Sequence, residues 1–199
     1  MRYLSNSQLE QCAAKLLKSW SEAEGTSALV FPVDVEHLAT DFLGIEVKFG
    51  SLDKGTIAEF RVSDEVFVLD RECNRNRSRA RFSIAHEIGH LELHSALRKS
   101  TFCRASDSSR QELQANRFAA ALLMPAADLV EIVAEEAAGL GKFSRKAAEA
   151  DIVAACSWLR NLLRGEPLKA QSLKAIVVRF GVSLQSLNVR LIQLHVVSP

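Results

Sequence analysis

The segment RFSIAHEIGHLELH, residues 81–94, limits the possible folds most, because it combines histidines and glutamates with a nearly continuous apolar surface. On a helix its apolar side chains surround the axis, which predicts a core helix rather than a surface one. These side chains are Phe82, Ile84, Ala85, Ile88, Leu91 and Leu93. Gly89 costs a helix interior about 1 kcal/mol relative to alanine, so we expect another backbone to pass close to it.

The two central histidines of this helix have the spacing of metal ligands. His86 and His90 are four residues apart and therefore share one helix face, where two imidazoles can bind one zinc ion at about 2.0–2.1 Å. Glu87 projects about 100° from His86, beside the pair, where a carboxylate can take a proton without ligating the metal. This is the chemistry of the H-E-x-x-H motif. A chance match in a buried helix, expected in well under ~1% of such chains, is the alternative.

A catalytic zinc site needs a third protein ligand and an open position. His94 is nearest in sequence, but on a straight helix its Cα lies about 12 Å from that of His86. It can reach the same ion only if the helix breaks after His90. We therefore interpret His94 as a residue that supports the structure or a ligand rather than as a ligand itself.

Glu112 is the better candidate for the third ligand. It lies one turn into the next predicted helix, and Asn116 follows four residues later on the same face. An asparagine there can hydrogen-bond the second nitrogen of a histidine or steady the carboxylate. A surface glutamate on an amphipathic helix has the same spacing, so the spacing alone leaves both interpretations open.

The rest of the chain predicts an α+β fold that is mostly helical, with a small antiparallel three-stranded sheet. Helical periodicity covers residues 6–24 and continues after Asp34, a predicted N-cap. Alternating, β-rich segments follow at 45–49, 56–62 and 65–70, and the last two form a hairpin across Ser63 and Asp64. Ser78 is the predicted cap of the histidine helix. From about Ala126 the chain is predicted to be all-helical, with one helix over residues 144–163.

The composition limits the binding partners and the cellular compartment that we expect for the protein. The net charge of +1 gives no overall field that would attract nucleic acid or an acidic membrane. The first residues lack the apolar core of a secretory signal, and no apolar run approaches the ~20 residues that span a bilayer. The four cysteines form no CxxC pair, which is typical of reduced thiols in the cytoplasm. They are Cys12, Cys73, Cys103 and Cys156.

Two motifs together, RARFSIAHEIGHLELH and QELQANRFAAALLMP, resemble the ImmA/IrrE family of zinc metallopeptidases, a gluzincin-like group. PVDVEHLATDFLGIEV and AIVVRFGVSLQSLNVRL extend the resemblance to residues 32–125 and 172–194. It implies a zincin-like catalytic core, zinc ligation by His86, His90 and Glu112, and Glu87 as the base. The family often has glutamate at the position of Gln114 and an aromatic residue at that of Leu91, but neither departure alters a ligand.

The resemblance implies a zinc-dependent endopeptidase with a core at residues 1–130 and a helical region at 131–199. The expected substrate is a regulatory protein such as a helix-turn-helix repressor, bound as an extended segment along an exposed strand edge. The oxyanion also needs a donor. Tyr3 is the chain's only tyrosine, and Arg79 or Arg81 are possible substitutes. The alternative is a zinc-stabilised regulator that binds a repressor, an antitoxin-like partner or DNA without cleaving it.

The segment AIVVRFGVSLQSLNVRL also has the pattern of a helix-turn-helix, with its turn at residues 181–183. Gln185 and Asn188 are its possible base readers, and Arg190 is the only cation of its second helix. Because a DNA-binding surface is normally basic, we favour packing over DNA binding for this segment. The arginines at positions 71, 75, 77, 79 and 81 are interpreted as a solvated run.

Overall fold

The computed structural model describes residues 4–26, 28–61, 63–94, 109–137, 145–165 and 168–197. The chain forms two compact units, Met1–Leu123 and Met124–Pro199. Helices dominate, and the described strands form one small sheet, so the predicted α+β, mostly helical fold is confirmed. The predicted functional division at residue 130 remains a prediction.

The N-terminal helices begin where side chains can satisfy free backbone amides. Helix α1 (Asn6–Ala23) starts with a capping box, in which Ser5 accepts from the Gln8 amide and Gln8 accepts from the Ser5 amide. The short helix α2 (Val35–His37) is capped by Asp34, as predicted, and continues as a π-helical turn over Leu38–Phe42. This segment leads directly into the sheet.

The sheet has the order β1-β3-β2 and is mixed, so the prediction of a wholly antiparallel sheet is wrong. Strand β1 (Glu46–Gly50) pairs parallel to β3 (Val66–Asp70), and β2 (Ala58–Arg61) pairs antiparallel to β3 through the predicted hairpin. The physical reason is that the chain reverses direction between β1 and β2 and again at the hairpin, so β3 runs parallel to β1. Residues 66–69 of β3 form a continuous apolar run and are all buried. A strand that is apolar on both faces takes the centre of a sheet, which leaves β2 at an edge.

Helix α3 (Arg77–Leu93) carries the histidine motif and is capped by Asn76, whose Oδ1 accepts from the Arg79 amide at 3.1 Å. The predicted cap, Ser78, is wrong: it lies inside the helix and donates to Asn76 Oδ1 at 2.9 Å. The prediction of a core helix is confirmed, because most of its apolar residues are buried. Helix α4 (Ser109–Leu123) packs along it.

At Gly89, helices α3 and α4 approach each other closely. A Cβ at this position would lie 3.1 Å from the carbonyl oxygen of Ala115 and 3.2 Å from its Cα. These distances are below the ordinary contact distance between carbon atoms, about 3.5–4.0 Å. The expected close approach of a second backbone is therefore confirmed, and it joins the two helices that carry the predicted ligands.

The second unit is helical in its described residues, but the predicted helix over 144–163 is wrong as one element. Ser144 lies outside the described residues, and the rest divides into α6 (Arg145–Ala150) and α7 (Ile152–Gly165). Asp151 separates them, because its Oδ1 accepts from the Ala154 amide at 2.9 Å and caps α7. Helix α5 (Ala126–Glu136) precedes them.

The last two helices have the predicted turn between them. Helix α8 (Ala170–Phe180) ends at Gly181, which has φ 63°, and Ser183 caps α9 (Leu184–Gln193). The two helices are bent by 91° relative to each other, an angle that helix-turn-helix motifs share. Across the part of the chain that the structure describes, no single helix is long and apolar enough to cross a membrane.

Candidate metal centre

Three side chains from α3 and α4 converge on one point. The ligand atoms of His86, His90 and Glu112 all lie within 4.8 Å of one another. The two Nε2 atoms are 3.0 Å apart. The Glu112 carboxylate oxygens lie 3.2 Å from His86 Nε2 and 3.1 Å from His90 Nε2. The structure thus brings together the three residues that the sequence predicts as ligands.

These distances fit one divalent ion. Around a tetrahedral zinc ion at about 2.0–2.1 Å, neighbouring ligand atoms are about 3.4 Å apart, and the observed separations are 3.0 to 3.2 Å. Two imidazole nitrogens and one carboxylate are also a donor set that zinc accepts. A shift of a few tenths of an ångström would be enough to accommodate the ion.

The centre is open on the side of α4. The side chains of His86 and His90 are 17% and 13% exposed, whereas that of Glu112 is 54% exposed. A ligand set that is buried on the histidine side and exposed on the carboxylate side leaves a direction from which a substrate can approach.

His86 and Glu112 shift each other's pKa values towards the charged forms. Burial lowers the pKa of His86, but the hydrogen bond to Glu112 and the charges of Glu87 and Glu112 outweigh it, so the pKa is raised above 6.5. The hydrogen bonds to His86 and then His90 hold the pKa of the Glu112 carboxyl well below its usual range. The carboxylate therefore remains charged and able to ligate across the physiological range of pH.

Asn116 and His94 contact this group from outside. Asn116 Oδ1 lies 3.1 Å from His86 Nδ1, so the ring donates there and keeps the Nε2 lone pair for a metal. His94 is buried, at 4% exposed, and caps α3, with its amide donating to the His90 carbonyl at 2.9 Å. Since α3 does not break after His90, His94 stays outside the three-residue group.

Glu87 is buried, at 6% exposed, on the same helix. Desolvation raises its pKa against the opposing charges of His86 and His90. The charges of Glu112 and Glu59 raise it further. A carboxylate with a raised pKa binds a proton more readily, which suits a proton acceptor. The sequence analysis missed Glu59, whose only signal was its place on the strand beside the motif.

Two groups considered as oxyanion donors have other positions. Arg81 Nη2 donates to the Val33 carbonyl at 2.7 Å, and burial lowers the pKa of this guanidinium. It therefore anchors the segment before α2. Arg79 is exposed in the first turn of α3, near the Cys73 thiol. Tyr3 lies outside the described residues.

The described cysteines, Cys12, Cys73 and Cys156, are free thiols, as the sequence predicts. Cys103 lies outside the described residues.

Arg190 is buried, and its Nε donates to the Met124 carbonyl at 3.0 Å. The one cation in the second helix of the helix-turn-helix-like segment therefore faces the protein interior, whereas Gln185 and Asn188 are exposed.

Comparisons with known proteins identify the family and the fold of the chain. A family model described as the IrrE N-terminal-like domain of the M78 peptidases matches residues 40–192. A solved Mycobacterium tuberculosis transcriptional regulator is similar in fold, with a TM-score of 0.54 and 18% identity over 92% of this chain and 46% of that chain. The chain thus spans about half the length of that regulator. No curated protein sequence matches the chain.

Proposed function

Because the chain belongs to the family of IrrE N-terminal-like domains, we propose that it is a zinc-dependent endopeptidase. The observation that carries the proposal is the arrangement of four side chains. The ligand atoms of His86, His90 and Glu112 lie within 4.8 Å of one another. The fourth side chain, Glu87, is a buried carboxylate on α3 that does not belong to this group. A peptidase of this kind needs that separation between the groups that hold the metal and the group that moves the proton.

In this proposal His86, His90 and Glu112 hold the zinc ion, and Asn116 fixes the orientation of the His86 ring. A zinc ion held by these residues would supply a Lewis acid, which would polarise the peptide carbonyl and make bound water more acidic. Glu87 accepts the proton from the attacking water and then passes it to the nitrogen of the leaving amine, as the carbon–nitrogen bond breaks. Its raised pKa suits both transfers, because the group must bind the proton and then release it.

The substrate is expected to lie along β2. This strand pairs with β3 on one side and lies at the edge of the three described strands. It also packs against α3, and its residue Glu59 is close enough to influence the pKa of Glu87. A peptide added to this edge as another strand would satisfy the free backbone groups of β2. The proposed substrate is an extended or locally unfolded segment of a regulatory protein, such as a helix-turn-helix repressor.

A regulator that binds without cleaving is the second candidate, and the helix-turn-helix-like segment favours it. Leu184 and Val189 of α9 are 56% and 44% exposed, although the sequence of this segment favours packing. With Arg190 buried, the exposed face of α9 is better suited to a protein than to DNA. The partner in this case is a repressor or an antitoxin-like protein.

Incubation with a helix-turn-helix repressor from the same genome tests the proposal. We expect cleavage that a chelator stops and that Glu87→Gln slows about 10²–10⁴-fold, since proton transfer contributes that much. The matched control is Glu92→Gln, the same change at an exposed position of the same helix, which should cut normally. Cleavage by a zinc-loaded Glu87→Gln protein at the wild-type rate would refute the mechanism. A stable complex without cleavage would favour the second candidate.

A further inference from the structure

His94 contacts one candidate ligand, His90, and the backbone next to another, Glu112. It follows α3 directly and is buried. Its ring hydrogen-bonds to the backbone of Gln111, the residue that precedes Glu112 in the first turn of α4. The ring centroids of His94 and His90 are 5.7 Å apart, with an interplanar angle of 49°. One imidazole thus contacts the backbone beside one ligand and the ring of another.

The hydrogen-bonding roles of the two rings are complementary. His90 Nε2 faces the centre, so a metal bound there leaves the ring proton on Nδ1 as a donor. A neutral His94 that donates to the Gln111 carbonyl keeps an acceptor lone pair on Nε2. His90 Nδ1 and His94 Nε2 are both buried, and neither has a hydrogen-bond partner within the described part of the chain.

A hydrogen-bond acceptor for the second ring nitrogen of His90 is expected from the way that proteins hold metal-binding histidines. Metal-binding histidines almost always donate their second N–H to a carbonyl, a carboxylate or water. His86 has this partner in Asn116. On His90, Nδ1 has no such partner among the described residues, and the centroid of the His94 ring lies 5.7 Å from that of His90. The burial of His94, its contact with the His90 ring and the unpartnered nitrogen on each ring therefore indicate a role beyond packing.

We propose that His94 is the positioning residue of the metal centre. One ring nitrogen holds the first turn of α4 through Gln111, so that Glu112 faces the histidines. The other accepts from His90 Nδ1 when the metal is bound. This inference rests on the proposed metal site, and it assigns His94 to metal affinity rather than to the chemical step.

Two substitutions in the 199-residue chain separate the effect of these hydrogen bonds from that of packing. His94→Phe keeps a ring of similar size and removes both hydrogen bonds, whereas His94→Gln keeps a donor and an acceptor. We expect His94→Phe to weaken zinc binding about 10–100-fold and His94→Gln to recover most of the loss. Competition with a chromophoric chelator measures the affinities. His195→Phe, at an exposed position of the other compact unit, is the matched control and should bind zinc normally.

Hydrogen exchange of the metal-free protein tests the Gln111 contact separately. His94→Phe should speed amide exchange in the first turn of α4 about tenfold or more and leave α1 unchanged. Wild-type zinc affinity in His94→Phe, or unchanged exchange in that turn, would overturn the inference. If the wild-type protein binds no zinc, the proposed function fails, and the exchange result still decides whether His94 positions α4.

Discussion

Gly89→Ala should separate the two helices that carry the candidate ligands. The added methyl would lie 3.1 Å from the Ala115 carbonyl oxygen, 3.2 Å from Ala115 Cα and 3.1 Å from Phe118 Cδ1. The phenyl ring can rotate, but the backbone of Ala115 can move only if α4 moves by several tenths of an ångström. Overpacking of this kind costs about 1–3 kcal/mol, and the better helix propensity of alanine offsets about 1 kcal/mol.

The net expectation is a loss of about 0–2 kcal/mol in the free energy of unfolding, together with a larger effect on metal binding. Glu112 precedes Ala115 by one turn and His90 follows Gly89 directly, so a displaced α4 draws the carboxylate away from the histidines. We expect zinc affinity to fall on the order of tenfold. Urea unfolding of the metal-free protein measures the first effect, and chelator competition measures the second.

Gly50→Ala is the matched control for this experiment. Its added methyl would also meet an atom at 3.1 Å, but that atom is the end of the Val68 side chain, and β1 carries none of the proposed ligands. Zinc affinity should therefore be unchanged in this variant. The contrary result is a Gly89→Ala variant whose free energy of unfolding rises by about 1 kcal/mol through helix propensity and which binds zinc like the wild type. That result would mean that a methyl group fits between α3 and α4 without displacing either helix. The close approach would then not determine the ligand geometry.

Three further predictions address charge and hydrogen bonding. Because the pKa of His86 is raised above 6.5, its stabilisation of the metal-free protein is complete below pH 6.5 and is lost as the pH rises through the raised value. Zinc binding near neutral pH should therefore release about one proton, and calorimetry in buffers of different ionisation enthalpy that showed no release would contradict this. Asn116→Ala should weaken zinc binding about tenfold or more in chelator competition, and an unchanged affinity would show that Asn116 does not orient the His86 ring. Arg190→Met should lower the free energy of unfolding by about 1–3 kcal/mol, because the Met124 carbonyl loses its buried donor; unchanged urea unfolding would disprove that role.

The histidine helix could be predicted because its physics is local. The apolar residues around α3 require burial, and the i, i+4 spacing places His86 and His90 on one face. Gly89 likewise predicts a close neighbour. Glycine destabilises a helix interior, so its presence there indicates that a larger side chain would not fit. The identity of that neighbour, Ala115 on α4, depends on tertiary packing and could not be read from the spacing.

The remaining differences arise from competition between residues that have similar local preferences. Asn76 and Ser78 are both good helix caps, and the chain conformation before α3 favours Asn76. Asp151 lies within a strongly helical pattern, yet its side chain caps α7 and breaks the helix. The parallel pairing of β1 follows from the two reversals of the chain between β1 and β3, and the burial of β3 on both faces leaves β2, which carries Glu59, at an edge.

Anomalous diffraction from zinc-loaded crystals tests the central claim most directly. One zinc peak should lie between α3 and α4, with His86 Nε2, His90 Nε2 and a carboxylate oxygen of Glu112 at about 2.0–2.2 Å. Glu87 should remain unligated beside it. Imidazoles that point apart, or a Glu112 side chain turned to solvent in the presence of excess zinc, would contradict the account.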